Sequence, residues 1–158
     1  MLVKIYIASD HGGFKTKQYL VKNLTEKGYE IEDMGPFDYD PTDDFPTTIL
    51  PALKKLLNNY ETTEEKLNNR DIRAILICKN GVGVSIFANR FKGIRAGLSW
   101  NSEHAKSHRN DDDTNVLALP ACYVSKRKAL RISLAWLKAE FSDEPRHKKR
   151  IQQIEELL

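Results

Sequence analysis

The residues best suited to chemistry are a cysteine and the glycines that follow it, Cys78-Lys79-Asn80-Gly81-Val82-Gly83. The glycines let the backbone approach a ligand closely, and N–H groups at a helix start face an anion. A thiolate at Cys78 would be stabilised by the same partial positive charge. The segment therefore favours a reactive sulfur beside an anion-binding loop. A glycine-rich turn around an inert, buried cysteine is the alternative, and the full pattern of a dinucleotide fingerprint or P-loop is missing.

A second polar pair, Asp10 and His11, precedes Gly12 and Gly13. Aspartate can orient or polarise a hydroxyl group, and histidine can donate a hydrogen bond to a phosphate or a ring oxygen. The pair is therefore a candidate substrate contact. The alternative is an aspartate that caps a helix beside a solvated histidine.

Two arginines, Arg146 and Arg150, are spaced to share one face of a helix that begins at Pro145. Two guanidinium groups on one face suit a phosphate, because each offers paired donors and a fixed charge. A solvated helix surface is the alternative for this basic stretch.

His104 and His108 have a spacing that metal sites use, and Asp111 begins a run of three aspartates that ends at Asp113. No cysteine or carboxylate cluster completes a ligand set beside the histidines. We therefore interpret the histidines as an exposed helix face and the aspartates as loop or capping residues, and we expect no metal.

The elements that must position these residues alternate between strand and helix. Apolar and β-branched runs predict strands at 2–8, 29–34, 72–78, 93–98 and 115–120. Helical spacing predicts helices at 14–27, 49–57, 84–91, 102–109, 125–141 and 145–158, with a loop at 35–46 and a helix extension or insertion at 60–70. This alternation predicts an α/β fold with a doubly wound parallel sheet of about five strands.

Ligands of such sheets bind beyond the carboxyl ends of the strands. Asp10 and His11 follow the first strand, and residues 78–83 follow the third. We expect residues 111–114, next to the fifth strand, to join them in one site.

The length and composition favour a single globular domain over residues 1–158, with a net charge that is compatible with a small-molecule substrate. Charged residues make up 30% of the chain and hydrophobic ones 41%, as in a globular protein. A net charge of +3 does not indicate nucleic acid and is compatible with an anionic small substrate. No apolar run could cross a bilayer, and the N-terminus has no signal-peptide pattern. The two cysteines fit neither a zinc site nor a disulfide scaffold, so we expect a cytoplasmic protein with reduced thiols.

Taken together, these segments resemble the ribose-5-phosphate isomerase B family, which includes the galactose-6-phosphate isomerase subunits. The resemblance runs from the first strand to Arg150. It is carried by residues 9–14, 44–46, 76–78, 81–86, 88–89, 93–96 and 113–118, and by Arg146 and Arg150.

The resemblance implies a three-layer Rossmann-like sheet. It also implies a homodimer or a tetramer, with pockets between subunits and the 145–158 helix packed on the partner subunit. It implies an aldose–ketose isomerisation of a sugar phosphate, in which a proton moves between C1 and C2 through an enediolate without metal or organic cofactor. By position, Cys78 matches the catalytic base, Asp10 and His11 match substrate contacts, and Arg146 with Arg150 match phosphate ligands. Residues 79–83 match the substrate-binding loop that stabilises the anion.

Several positions depart from the family pattern. Lys79 and Asn80 stand where the family has glycine and then threonine or serine. Asp111 and Asp112 stand at the positions of the ring-opening histidine and a following asparagine, and Cys122 replaces a phosphate-binding arginine. We assign ring opening to Asp111, with His108 three residues earlier as the alternative.

These departures leave three functional hypotheses open. The first is isomerisation of ribose 5-phosphate and ribulose 5-phosphate. The second is the same chemistry on another sugar phosphate, either a tetrose or hexose phosphate or, more specifically, a shorter or open-chain one that needs no ring opening. The third is a non-catalytic sugar-phosphate binding protein. A nucleotide-binding flavodoxin-like module fits least, because the glycine loop lacks a phosphate-binding Lys-Ser/Thr end.

Overall fold

The computed structural model describes residues 3–61 and 72–157, in which five strands and six helices alternate. Residues 62–71, and with them most of the expected insertion at 60–70, lie outside the described residues. The strands are β1 Lys4–Ser9, β2 Glu30–Asp33, β3 Ile72–Cys78, β4 Ala96–Leu98 and β5 Val116–Pro120. The helices are α1 Phe14–Glu26, α2 Phe45–Glu61, α3 Val82–Ala88, α4 Ser102–Asp112, α5 Lys126–Lys138 and α6 Pro145–Leu157.

The five strands form one parallel sheet in the order β2-β1-β3-β5-β4, which confirms the expected α/β fold. Alternate residues of β1, β3 and β5 point to opposite faces, as the period of a strand requires. One face packs Ile5, Ile75 and Leu117 with residues of α1 and α5. The other packs Tyr6 and Leu76 with residues of α2 and α3. The sheet is therefore the middle of three layers, with a hydrophobic core on each side.

Several helix boundaries differ from those expected. Helix α2 begins at Phe45, four residues before the predicted start, and places Pro46 in its first turn, where no backbone donor is needed. Helix α4 continues to Asp112, beyond the predicted end at 109, so Asp111 lies in its last turn. Helix α5 ends at Lys138, before the predicted end at 141. None of the described helices combines the length and apolarity that a bilayer crossing requires.

Candidate active site

The loops that follow β1 and β3 are held against each other by their backbones. The Asp10 N–H donates to the Ile77 carbonyl at 3.2 Å. A Cβ on Gly13 would lie 2.6 Å from the Ile77 carbonyl oxygen, and one on Gly12 would lie 3.2 Å from the Lys79 nitrogen. Side chains at these two positions would push the loops apart. The glycines therefore place Asp10 and His11 beside the end of β3, as the sequence predicts.

The Cys78 thiol lies at the base of the second loop. Its side chain is buried, at 4% exposure, but Sγ accepts a hydrogen bond from the Gly81 N–H at 3.2 Å. The Asn80 Oδ1 is 3.9 Å from Sγ and also accepts the Val82 N–H at 3.0 Å. The sulfur is therefore both shielded from water and connected to the loop.

Two glycines fix the path of this loop into α3. Gly81 has φ of 74°, in the left-handed region that side chains disfavour. A Cβ on Gly83 would lie 2.8 Å from the Phe45 ring, so α2 and α3 can approach only at a residue without a side chain. The turn brings the first N–H groups of α3 close to the sulfur, and N–H groups in a first helical turn have no carbonyl partner within the helix.

Asp10 is a buried carboxylate in this cluster. Its Oδ1 accepts the Gly13 N–H at 3.1 Å, and burial raises the pKa of its carboxyl group above the ordinary value. The helix-capping alternative describes part of its geometry, because Gly13 directly precedes α1. The same carboxylate nevertheless lies against the Cys78 loop across Gly12.

His11 makes a contact that sequence reasoning missed. Its backbone N–H donates to Asp43 Oδ1 at 2.8 Å, and its ring Nδ1 lies 2.6 Å from the same oxygen. The hydrogen bond that the His11 side chain donates to Asp43 raises the pKa of the imidazole. Asp43 lies in an aspartate-rich loop, and nothing in its spacing from His11 in the sequence signals the pair.

The expectation that residues 111–114 join this cluster is wrong within one chain. Strands β3 and β5 are parallel, with Ala74 opposite Val116 and Cys78 opposite Pro120. Residues that precede β5 therefore lie at the amino edge of the sheet, where strands begin, whereas Cys78 lies at the carboxyl edge, where they end. Strand β5 alone separates the two edges by about 13 Å, at about 3.3 Å per residue.

The aspartates and arginines assigned to the substrate lie toward the amino edge. Asp111 and Asp112 close α4, and the Asp111 carboxylate accepts from Ser107 Oγ at 3.4 Å. Arg146 is exposed at the start of α6 and pairs with Glu144 at 2.8 Å, and Arg150 is exposed one turn later. The Ser142 N–H donates to the Asn110 carbonyl, which ties the start of α6 to the last turn of α4. These four side chains therefore share one side of the chain, away from Cys78.

His108 is not the exposed side chain that the sequence suggested. It is 8% exposed, its Nδ1 lies 2.7 Å from Thr114 Oγ1, and its ring packs against Gly97. Burial lowers the pKa of His108 to about 4, so the ring is neutral at physiological pH. His104 stacks on Trp100 with ring centroids 4.7 Å apart.

Neither histidine belongs to a metal site in the part of the chain that the structure describes, where no three His, Cys, Asp or Glu side chains converge. Cys122 is exposed at the carboxyl edge, and its N–H donates to the Lys79 carbonyl at 2.9 Å. The position that departs from the family arginine therefore borders the Cys78 loop.

Comparisons with known proteins extend over almost the whole chain. Residues 5–154 match the family model described as Ribose/Galactose Isomerase. "Probable ribose-5-phosphate isomerase B" of Mycoplasma pneumoniae is 36% identical over 95% of this chain and 91% of its own length. Ribose-5-phosphate isomerase B of Escherichia coli is 35% identical over 96% of this chain and 93% of its own length.

Solved structures agree with these relatives. Ribose-5-phosphate isomerase B of Mycoplasma genitalium, with bound ribulose-5-phosphate, is 33% identical with a TM-score of 0.88, covering 99% of this chain and 97% of that one. The Clostridium thermocellum ribose-5-phosphate isomerase B is 36% identical with a TM-score of 0.86, covering 98% of this chain and 97% of that one. The fold, the glycine-bounded loops at the carboxyl edge and these matches together show that the chain belongs to the ribose/galactose isomerase family.

Proposed function

We propose that this protein interconverts ribose 5-phosphate and ribulose 5-phosphate, with Cys78 as the base. The observation that carries the proposal is the hydrogen bond from the Gly81 N–H to Cys78 Sγ, beside Asp10 and His11. Relatives more than 30% identical over most of their length are named for this reaction, and one of them holds ribulose 5-phosphate.

The reaction needs a base and a group that stabilises negative charge. A thiolate at Cys78 removes the proton from C2 of the open-chain aldose, and the electrons move onto the C1 oxygen to give an enediolate. The C2 hydroxyl proton passes to the C1 oxygen, and the same sulfur returns its proton to C1 as the C2 oxygen becomes the carbonyl. The Gly81 and Val82 N–H groups already donate to Cys78 Sγ and Asn80 Oδ1, so the Gly83 N–H in the first turn of α3 is assigned to the oxyanion. One such donor typically contributes about 100- to 1,000-fold in rate.

The phosphate is held by residues of a second copy of the chain. Arg146 and Arg150 share a face of α6 but lie toward the amino edge, and Cys78 lies at the carboxyl edge. One chain cannot bring both sets to a small sugar phosphate. A two-fold dimer supplies each site with a sulfur from one subunit and arginines from the other, because its contacts are reciprocal.

Asp111 favours a second candidate, an isomerase of a sugar phosphate that needs no ring opening. A carboxylic acid usually titrates below imidazole, so it is a weaker match for opening a cyclic sugar near neutral pH. His108 cannot take over this step, because its ring is buried and its Nδ1 is bonded to Thr114. Open-chain tetrose phosphates therefore belong in the substrate screen beside ribose 5-phosphate, with cyclic hexose phosphates as substrates that do require ring opening.

The test of the proposal compares Cys78→Ala with Cys122→Ala. Both variants remove one sulfur at the same edge of the sheet, but only the first removes the base. We expect Cys78→Ala to lower kcat by about 10²- to 10⁴-fold, the usual contribution of a general base. Cys122→Ala should keep kcat close to that of the unmodified protein.

Turnover is measured as ribulose 5-phosphate formed from ribose 5-phosphate. A Cys78→Ala variant within threefold of the parent would exclude the sulfur as the base. If no pentose, tetrose or hexose phosphate is turned over but these sugars still bind tightly, the protein is a binding module.

A further inference from the structure

The Asp43 carboxylate is a buried acid whose hydrogen bonds among the described residues all involve His11. Its side chain is 9% exposed, and Oδ1 accepts from both the backbone N–H and the ring Nδ1 of His11. The second oxygen, Oδ2, is buried and has no hydrogen-bond partner among the described residues. A buried carboxylate costs considerable free energy unless a positive charge accompanies it. The surroundings of Asp43 therefore favour a protonated His11.

The ring orientation of His11 follows from the same contact. A carboxylate can only accept, so Nδ1 carries the hydrogen that points to Asp43. The opposite ring nitrogen, Nε2, has no partner among the described residues, and the side chain is 35% exposed. When the ring is protonated, Nε2 is a charged donor directed away from Asp43.

His11 lines a cavity of about 430 Å³ together with Gly12, Lys15 and Tyr39. Gly12 separates this cavity from Lys79 and from the Asp10 carboxylate, so it adjoins the Cys78 loop. A charged donor here suits an anionic oxygen of a sugar phosphate.

We propose that Asp43 is a positioning residue that holds the His11 imidazolium in place, with Nε2–H directed at an anionic oxygen of the substrate. The proposal rests on the proposed function for the identity of the substrate. One Asp43 oxygen accepts hydrogen bonds from both the ring and the backbone of His11, which fixes the ring relative to its own backbone. The side chain therefore loses less entropy when substrate binds.

The charges around His11 come from every element packed against it. The carboxylates of Asp10, Asp40 and Asp43 favour the protonated ring, and the ammonium groups of Lys15 and Lys79 oppose it. The Asp43 hydrogen bond is the largest contribution, and it raises the pKa of His11 above its ordinary value near 6.5. His11 therefore keeps its proton at a pH where a free histidine has lost it.

The experiment replaces Asp43 with asparagine, which preserves shape and an acceptor for the backbone N–H but removes the charge. Asp38→Asn, an exposed change of the same charge in the same loop, is the matched control. Imidazole NMR titration reports the midpoint of His11, and kinetics between pH 6 and 9 report KM and kcat for ribose 5-phosphate.

We expect Asp43→Asn to lower the titration midpoint of His11 and to raise KM about tenfold near pH 8, as the loss of one charge-assisted hydrogen bond would. The KM difference should shrink toward pH 6, where His11 is protonated in both proteins, and kcat should change far less. Asp38→Asn should leave the midpoint and both constants unchanged.

Three results would overturn the proposal. One is a folded Asp43→Asn protein with an unchanged His11 midpoint. Another is a KM that rises equally at every pH, which indicates a merely structural role. The third needs no variant: a His11 midpoint at or below 6.5 in the unmodified protein contradicts a ring held as a cation. If the unmodified protein lacks isomerase activity, the proposed function fails, whereas titration of His11 with added inorganic phosphate still tests the Asp43 contact.

Discussion

The two edges of the sheet carry the candidate residues in very different states. At the carboxyl edge, Asp10 and Cys78 are buried, and each accepts a backbone N–H from its own loop. Around the amino edge, Asp112, Arg146 and Arg150 are exposed, and Arg146 pairs with its neighbour Glu144. One edge is a rigid pocket wall and the other is a charged surface.

The contrast supports the proposal that one chain carries halves of two different sites. A base must be shielded and held in place, which buried backbone contacts achieve. Phosphate ligands can remain solvated until a partner chain and a substrate arrive. The family motif at residues 113–115 supports the amino edge itself: Asn115 bonds the backbone of Gly93 and Arg95, and the Asp113 carboxylate pairs with Arg95 and Arg109.

The proposal that the carboxyl edge of one chain and the amino edge of another share a substrate is tested most strongly by mixing two variants that are each expected to be inactive. Cys78→Ala lacks the base, and the double variant Arg146→Ala/Arg150→Ala lacks the phosphate ligands. After subunit exchange, half of the dimers are mixed and each holds one intact site, so we expect about a quarter of the parental activity per subunit. Ribulose 5-phosphate formation measures the recovery.

The control mixes Cys78→Ala with Cys78→Ser, which should recover nothing beyond the two parents. Native mass spectrometry verifies that mixed dimers have formed. Mixed dimers without recovered activity would show that the two edges do not share a substrate.

A smaller effect is expected when one arginine is removed. Arg146→Ala should raise KM for ribose 5-phosphate about ten- to a hundredfold, because a hydrogen bond to a charged group contributes about 1.5–3 kcal/mol. Lys149→Ala removes the same charge from a neighbouring exposed position on α6 and should leave KM nearly unchanged. Equal effects of the two variants would reduce the role of Arg146 to general electrostatic attraction.

The smallest expected effect is on stability, when a glycine at either edge of the sheet is replaced by alanine. Gly81 at the carboxyl edge and Gly93 at the amino edge both have positive φ, of 74° and 83°. A Cβ would meet the Leu98 side chain and the backbone at Leu119 and Pro120 at the first position and nothing within 4 Å at the second.

We expect Gly93→Ala to cost about 1–2 kcal/mol of unfolding free energy, from backbone strain alone. Gly81→Ala should cost more, because crowding adds to the same strain, and urea denaturation measures both. Equal costs would mean that the carboxyl edge relaxes as easily as the amino edge.

Sequence patterns predicted the order and type of the described elements, because strand and helix periods depend on local spacing of apolar residues. They failed for helix ends, side-chain burial and residue pairs that depend on tertiary contacts. Helix α4 was predicted to end at 109, before the run of aspartates, but it continues through Asp111 to Asp112. His108 was placed on a surface because its neighbours are polar, but its ring fills the space beside Gly97. The Asp43–His11 pair was invisible, because it joins residues 32 positions apart.

The layered α/β fold, the family and the role of the glycine-rich loops could be predicted from the amino-acid sequence, because they depend on residue types and their spacing. Only the tertiary structure decided which edge each candidate occupies. Strand direction sets that assignment: in a parallel sheet, a residue before a strand and a residue after its neighbour lie at opposite ends. The pairing of strands, which joins distant parts of the chain, therefore separates Asp111 from Cys78.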